Sequence, residues 1–181
     1  MIDPLSPPHQ LWLVGYGGWP TSRRADRLIA ALVERGVTRL VDVRLNPCAS
    51  DVKEGRYGSK PWTLQPGRAG IVGLLGAAGV VYEWLAELGN PQRHDKAMRV
   101  LREHLADPGG RWPVHRGLDR LAELVRGPGE AVALLCACAE SRACHRTVIA
   151  RALADRDFRG RLSIRDVRTG DVTSLEDQSR S

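Results

Sequence analysis

The sequence predicts a single-domain α/β fold: a doubly wound, Rossmann-like and mainly parallel sheet of about five strands flanked by helices. Short apolar runs alternate along the chain with stretches in which apolar residues follow helical spacing. The first two runs and the stretch between them form a strand, helix and strand within about thirty residues, which is the signature of a parallel βαβ unit. Turn residues, mostly glycine and proline, separate the elements.

The first βαβ unit occupies the N-terminal quarter of the chain. A buried strand is predicted over residues 11–14 and ends in a glycine-rich turn. Thr21 or Ser22 can cap the following helix, and Gly36 ends it. A second buried strand follows over residues 37–43.

The middle of the chain contains a long irregular segment and a third strand. Residues 45–67 are rich in Gly, Pro, Lys and Arg, and a loop of this length in a compact domain is usually functional. A small-residue helix over 69–78 leads to a strand over 80–84. Asn90 and Pro91 favour a helix start, after which apolar residues line one face. These residues are Met98, Leu101 and Leu105.

The C-terminal part predicts two more strands and two helices. A helix over residues 114–126 precedes a fourth strand over 131–135. Ser141 is predicted to cap the next helix, and a fifth strand follows over 162–167. The buried face of that helix is formed by Val148, Ile149 and Leu153. The α/β domain is therefore expected over 11–168, with an N-terminal extension over 1–10 and a polar tail over 169–181.

Composition restricts the classes of protein to which the chain can belong. No apolar run is long enough for a membrane span, and the N-terminus lacks the pattern of a signal peptide. Three of the four cysteines lie within residues 136–144, a poor arrangement for disulfides, so we expect reduced thiols and a cytoplasmic location. The net charge of +6 and the pI of about 9.6 favour polyanionic partners such as nucleic acid or phosphorylated small molecules. The lack of a long apolar run predicts no membrane partner.

Residues 134–146, LLCACAESRACHR, concentrate the groups that can carry chemistry. Cys136, Cys138, Cys144 and His145 are four possible zinc ligands. However, no Cys-x-x-Cys knuckle is present, and on a helix Cys144 and His145 would lie about 100° apart. We therefore expect no metal and no cofactor.

A thiol nucleophile is the second interpretation of this segment. Cys136 is predicted at a strand end and Cys144 in the first turn of a helix, where the helix dipole favours a thiolate. Nearby positive charge would come from Arg142, His145 and Arg146. The spacing from Cys136 to Arg142 also fits the C-x5-R phosphatase loop, although the glycines of such loops are absent. Alternatively, the cysteines are small hydrophobic residues at an ordinary strand end.

Two further groups of residues are candidates for binding. Asp42 and Arg44 are predicted to point to one face at the end of a strand. They can form a pocket in which the acid lies beside an arginine that binds an anion, or they can form an internal ion pair. Gly15 and Tyr16 follow the first strand and would face the same ligand. The long loop interleaves basic with aromatic residues and can bind polyanions or lie free in solvent. Its basic residues are Lys53, Arg56, Lys60 and Arg68.

Several motifs of the chain resemble those of a known family, the domain of unknown function 488 family. The resemblance covers about residues 11–167 and is carried by four segments. They are the first-strand end Leu13-Val14-Gly15-Tyr16, the L-V-D-V-R-x-x-P motif at 40–47, the Y-x5-L-G segment at 82–89 and the L-L-C-x7-C-H-R motif at 134–146. Many members carry histidine at the position of Tyr16 and an acid at that of Cys138. The resemblance implies an α/β fold and a shared site.

The residues lead to two functional hypotheses. The first is an enzyme that acts on a phosphate-bearing substrate, a nucleotide or nucleic acid, with anion binding by arginines and catalysis by residues at the strand ends. The catalytic candidates are Asp42, Cys136, Cys144 and His145. The second is a non-catalytic nucleic-acid-binding module with structural cysteines. Neither the reaction nor the oligomeric state follows from the residues.

Overall fold

A computed structural model describes residues 9–45, 70–92, 94–142 and 144–172. Within these ranges the chain forms a five-stranded sheet in which all paired strands run parallel. The strands are β1 (His9–Gly15), β2 (Arg39–Asp42), β3 (Val81–Trp84), β4 (Val132–Cys136) and β5 (Leu162–Asp166). Their order across the sheet is β3-β2-β4-β1-β5, so β4 lies at the centre between β1 and β2. The predicted α/β parallel fold is confirmed.

Helices cover both faces of the sheet. They are α1 (Arg24–Glu34), α2 (Ile71–Ala77), α3 (Arg99–Ala106), α4 (Pro113–Arg126) and α5 (His145–Leu153). Residues of α1 and α2, such as Leu28 and Leu75, pack in one core with Val14 and Leu135 of the sheet. Residues of α3, α4 and α5 pack in a second core with the alternate strand residues, such as Leu13 and Leu134.

This arrangement places a topological switch point at the carboxyl end of β4. The connections that leave β1 and β2 cross the face covered by α1 and α2, whereas β4 leads to α5 on the opposite face. The connection from β2 leads to β3 in one direction, and that from β4 leads past β1 to β5 in the other, so the connections diverge between β2 and β4. In open α/β sheets, a crevice for ligands lies outside the carboxyl ends of strands where connections diverge in this way.

Most element boundaries agree with the expectation within a few residues, and one helix start does not. Asn90 was expected to start a helix, but its side chain donates to the carbonyl oxygens of Gln92 and Asp95 and stabilises a series of turns. Met98 has a left-handed backbone, with φ of 55°, and α3 begins only at Arg99. At the N-terminus, β1 begins at His9, so the strand extends into the segment expected to precede the domain. No helix in the ranges that the structure describes is long and apolar enough to cross a membrane.

Gly15 ends β1 at a point of close contact with the chain that follows β4. A Cβ atom at this position would overlap the carbonyl oxygen of Cys138 and would lie 2.6 Å from Nη1 of Arg146. The backbone oxygen cannot retreat as a flexible side chain would. A residue without a side chain is therefore required for the segment after β4 to close over the end of β1.

We predict that Gly15→Ala lowers the free energy of unfolding by roughly 1–3 kcal/mol, because the new methyl group displaces the segment after β4. Urea unfolding followed by tryptophan fluorescence measures this loss. The matched control is Gly73→Ala in α2, where a Cβ atom would meet nothing within 4 Å. That change should stabilise the helix by about 0.5–1 kcal/mol. Equal stability of the two variants would contradict the described contact.

Candidate functional site

Three cysteines meet at the carboxyl end of β4. The Sγ atoms of Cys136, Cys138 and Cys144 all lie within 4.8 Å of one another, and those of Cys136 and Cys138 are 3.7 Å apart. We call these three residues the sulfur cluster. Cys136 and Cys144 are buried, whereas Cys138 is exposed. Solvent and small molecules therefore reach the cluster from the side of Cys138.

The cluster forms because Cys144 lies outside the following helix. Cys144 precedes the first residue of α5 and has an extended backbone, with φ of −123° and ψ of 141°. Ser141 does not cap α5: its carbonyl oxygen accepts hydrogen bonds from the Cys144 amide and the Thr147 hydroxyl. The expected separation of about 100° between Cys144 and His145 applies to two helical residues. Cys144 is not helical, so this separation does not apply to it. It therefore no longer argues against the binding of one metal ion by both residues.

His145 connects the sulfur cluster to the end of β2. Its Nε2 atom lies 2.9 Å from the carbonyl oxygen of Val43, which can only accept, so Nε2 carries the proton. Nδ1 then presents a lone pair 3.7 Å from Sγ of Cys136 and 3.9 Å from Sγ of Cys144. Burial lowers the pKa of His145 and favours this neutral form.

Arg146 is the largest fully buried side chain of the site. Its relative exposure is 0%, and its Nη1 donates to the carbonyl oxygen of Cys138 at 3.0 Å and to Sγ of Cys144 at 3.4 Å. Nε and Nη2 are also buried and meet no acceptor among the residues that the structure describes. The guanidinium therefore binds the cluster from inside the protein, in a position that an external anion does not reach directly.

The surroundings of the sulfur cluster favour a thiolate at Cys136 over one at Cys138 or Cys144. Hydrogen bonds from the thiols of Cys138 and Cys144 lower the pKa of Cys136, and the positive charge of Arg146 acts in the same direction. The same hydrogen bonds raise the pKa of Cys138 and Cys144, because both act as donors to Cys136. A thiolate is thus stabilised at Cys136, at the end of the central strand.

Asp42 and Arg44 form a buried ion pair at the end of β2. Arg44 donates from Nε and Nη2 to the Asp42 carboxylate, the shortest distance being 2.7 Å, and its Nη1 lies 2.6 Å from the hydroxyl of Tyr16. Burial works against the charge of Arg44, but Asp42 more than compensates and the net pKa of Arg44 is raised. These contacts are those of an internal ion pair, which is one of the two interpretations of this motif.

Residues of β3 and of the turn after it support this pair, although the sequence pattern did not indicate them. The Tyr82 hydroxyl donates to Asp42 at 3.0 Å, and Nε1 of Trp84 donates to the carbonyl oxygen of Arg44 at 2.8 Å. A Cβ atom at Gly89 would lie 2.8 Å from the backbone of Leu45. The register of the parallel strands could have indicated Tyr82 and Trp84, because Asp42 of β2 lies opposite Trp84 of β3.

The structure brings most of the candidate residues to one edge of the sheet. Neighbouring strands β2 and β4 place Asp42 and Arg44 beside the sulfur cluster, and Gly15 and Tyr16 follow β1 on the other side of β4. Arg142 is exposed on the segment between β4 and α5. The basic loop residues Lys53, Arg56, Lys60 and Arg68 lie outside the described residues.

We predict that Asp42→Asn lowers the free energy of unfolding by about 3–5 kcal/mol, because it leaves the buried guanidinium of Arg44 without its counter-charge. Asp42 is 0% exposed and Arg44 6% exposed. The control is Asp119→Asn, which removes the partner of Arg156 at a side chain that is 68% exposed. This control should change stability by less than about 1 kcal/mol. A similar loss in the two variants by urea unfolding would show that the Asp42 pair does not support the site.

Comparison with known proteins finds a family model that matches part of the chain. A family model described as domain of unknown function DUF488 matches residues 71–153, which include the Y-x5-L-G segment and the Cys136–Arg146 region. No curated protein and no solved structure matches the chain. The matched residues contain two of the four motifs from which the resemblance was inferred, so the match supports the assignment of the chain to the DUF488 family.

Proposed function

We propose that the chain is an enzyme that acts on a phosphate-bearing substrate and that the sulfur cluster is its reacting centre. The observation that carries this proposal is the position of the cluster at the carboxyl end of β4, next to β2, from which the chain connection leaves in the opposite direction. A reactive group at such a switch point is within reach of a ligand that binds in the crevice outside the sheet.

The charges around the cluster favour an anionic substrate. Among the described residues, the buried charged side chains are Asp42, Arg44 and Arg146, which leave an excess of one positive charge. This excess stabilises negative charge on sulfur and on a substrate beside it. Arg142 is exposed and free of described partners, so we assign to it the contact with the phosphate.

The buried groups then position the centre rather than bind the substrate. The Asp42 carboxylate accepts hydrogen bonds from Arg44 and Tyr82, and Arg146 donates to the cluster. His145 keeps an unprotonated Nδ1 toward the sulfurs and can exchange a proton with a thiol. Reduced thiols are required for this chemistry, which fits the proposed cytoplasmic location.

The alternative function, a nucleic-acid-binding module, lacks a specific supporting observation among the described residues. Several of the exposed arginines there are neutralised by acids: Arg99 by Asp95, Arg120 by Glu83 and Glu123, Arg126 and Arg156 by Asp157. Such ion pairs reduce the attraction of a surface for phosphates. The enzyme therefore remains the better-supported proposal.

A panel of phosphate-bearing compounds tests the proposal. It contains p-nitrophenyl phosphate, the common nucleoside triphosphates and a short single-stranded oligonucleotide, and products are followed by phosphorus NMR and mass spectrometry. We expect turnover of at least one compound and a loss of kcat by roughly a hundredfold or more in Cys136→Ser, which removes a sulfur from the reacting centre. Arg142→Ala should raise KM about tenfold with little change in kcat, through loss of a charge-assisted hydrogen bond.

The matched control is Arg159→Ala, which removes an exposed arginine from the turn before β5, at the amino end of that strand. It should leave kcat and KM unchanged. Absence of turnover, together with oligonucleotide binding that weakens with salt, would contradict the enzyme and support the binding module. In that case, replacement of Lys53, Arg56 and Lys60 by alanine should flatten the slope of log K against log salt by up to about 3 on duplex DNA.

A further inference from the structure

We propose that the chain binds one zinc ion through Sγ of Cys136, Cys138 and Cys144 and Nδ1 of His145. Nothing in the family description assigns a metal, and the spacing of these residues along the chain argues against one. The fold removes that objection, because Cys144 lies outside α5 and its Sγ is only 3.9 Å from Nδ1 of His145.

Three of the six distances between the proposed donor atoms are close to those of a tetrahedral zinc site. With zinc–sulfur bonds of about 2.3 Å and zinc–nitrogen bonds of about 2.0–2.1 Å, adjacent ligand atoms are separated by roughly 3.5–3.8 Å. The observed separations are 3.7 Å from Cys136 to Cys138, 3.7 Å from Cys136 to His145 and 3.9 Å from Cys144 to His145. The three sulfurs, which lie within 4.8 Å of one another, thus already approach the spacing that a zinc ion requires, and Nδ1 of His145 lies beside two of them. This soft donor set is one that selects zinc.

The orientation of His145 is that of a metal ligand. Zinc-binding histidines almost always donate their second ring nitrogen to a carbonyl or carboxylate, which fixes the tautomer and the direction of the ring. Here Nε2 donates to the carbonyl oxygen of Val43, and Nδ1 is directed at the sulfurs. A histidine that only filled space would not need this arrangement.

Arg146 completes the balance of charge. Three thiolates and one Zn²⁺ ion together carry one negative charge, and the described buried residues Asp42, Arg44 and Arg146 carry one positive charge in excess. Asp42 is already paired with Arg44, so Arg146 lacks a carboxylate partner within the described ranges. Its Nη1 instead donates to Sγ of Cys144, the type of hydrogen bond that stabilises a metal-bound thiolate.

Zinc binding does not depend on the proposed enzymatic function, because it requires the four ligands alone. If both proposals hold, Nδ1 of His145 is a zinc ligand and does not exchange protons, and the ion itself keeps the sulfurs deprotonated at neutral pH. The exposed Cys138 is then the zinc-bound thiolate that a substrate reaches first. The zinc experiments have a readout that is independent of turnover, so each proposal can fail alone.

The test is elemental analysis of protein that is expressed with added zinc and purified without a metal-affinity column. We expect about one zinc per chain, and less than about a tenth of that in Cys144→Ser and His145→Ala, each of which removes one of four ligands. The matched control is Cys48→Ser, which replaces the one cysteine of the chain that is not a proposed ligand. This variant should keep the full zinc content. Circular dichroism checks that each variant is folded.

A second measurement keeps the inference testable if those variants do not fold. Wild-type protein is stripped with a chelator under reducing conditions and titrated with Co²⁺ alone. We expect saturation at about one Co²⁺ per chain, with sulfur-to-cobalt charge-transfer bands and strong visible bands of tetrahedral cobalt. Wild-type protein that binds neither metal would overturn the inference, as would full zinc content in a folded Cys144→Ser variant.

Discussion

The buried guanidinium of Arg146 is the interaction on which the candidate site depends. Arg146 lies in the first turn of α5, yet its Nη1 reaches back to the carbonyl oxygen of Cys138 and to Sγ of Cys144. These contacts close the segment between β4 and α5 over the end of β1, where Gly15 leaves room for it. A buried cation is costly unless negative charge accompanies it. The sulfur cluster supplies that charge, so the position of the arginine and the chemistry of the cysteines are linked.

The two motifs that carry the family resemblance form one unit in space. The strand-end motif of β2 provides the Asp42–Arg44 pair, and the motif after β4 provides the cluster, His145 and Arg146. His145 joins them through its hydrogen bond to the carbonyl oxygen of Val43. Because β2 and β4 are neighbours in the sheet, the two strand ends lie side by side. Tyr82 and Trp84 of β3 extend this support to the edge of the sheet.

The fold could be predicted from the sequence because its signals are local. Apolar runs identify the buried strands, and Gly36, with φ of 66°, ends α1 where a glycine is expected. The residues of the site were also identifiable, since they follow the strands in a parallel sheet. Their geometry was not, because the extended backbone of Cys144 depends on contacts of the segment after β4 with β1 and α5. Tertiary contacts of this kind leave no trace in the spacing of residues, which is why the helical argument for Cys144 and His145 failed.

Hydrogen–deuterium exchange of wild-type protein and Arg146→Met measures most directly whether this arginine holds the site together. Methionine keeps much of the side-chain volume but removes the charge and the donors. We predict faster exchange in peptides that cover residues 15–17 and 136–144, including the amides of Tyr16 and Cys144, because the closing contacts are lost. Peptides from α4 and β5 should keep their protection. Unchanged exchange at the site, or equal loss of protection throughout the chain, would contradict the central role of Arg146.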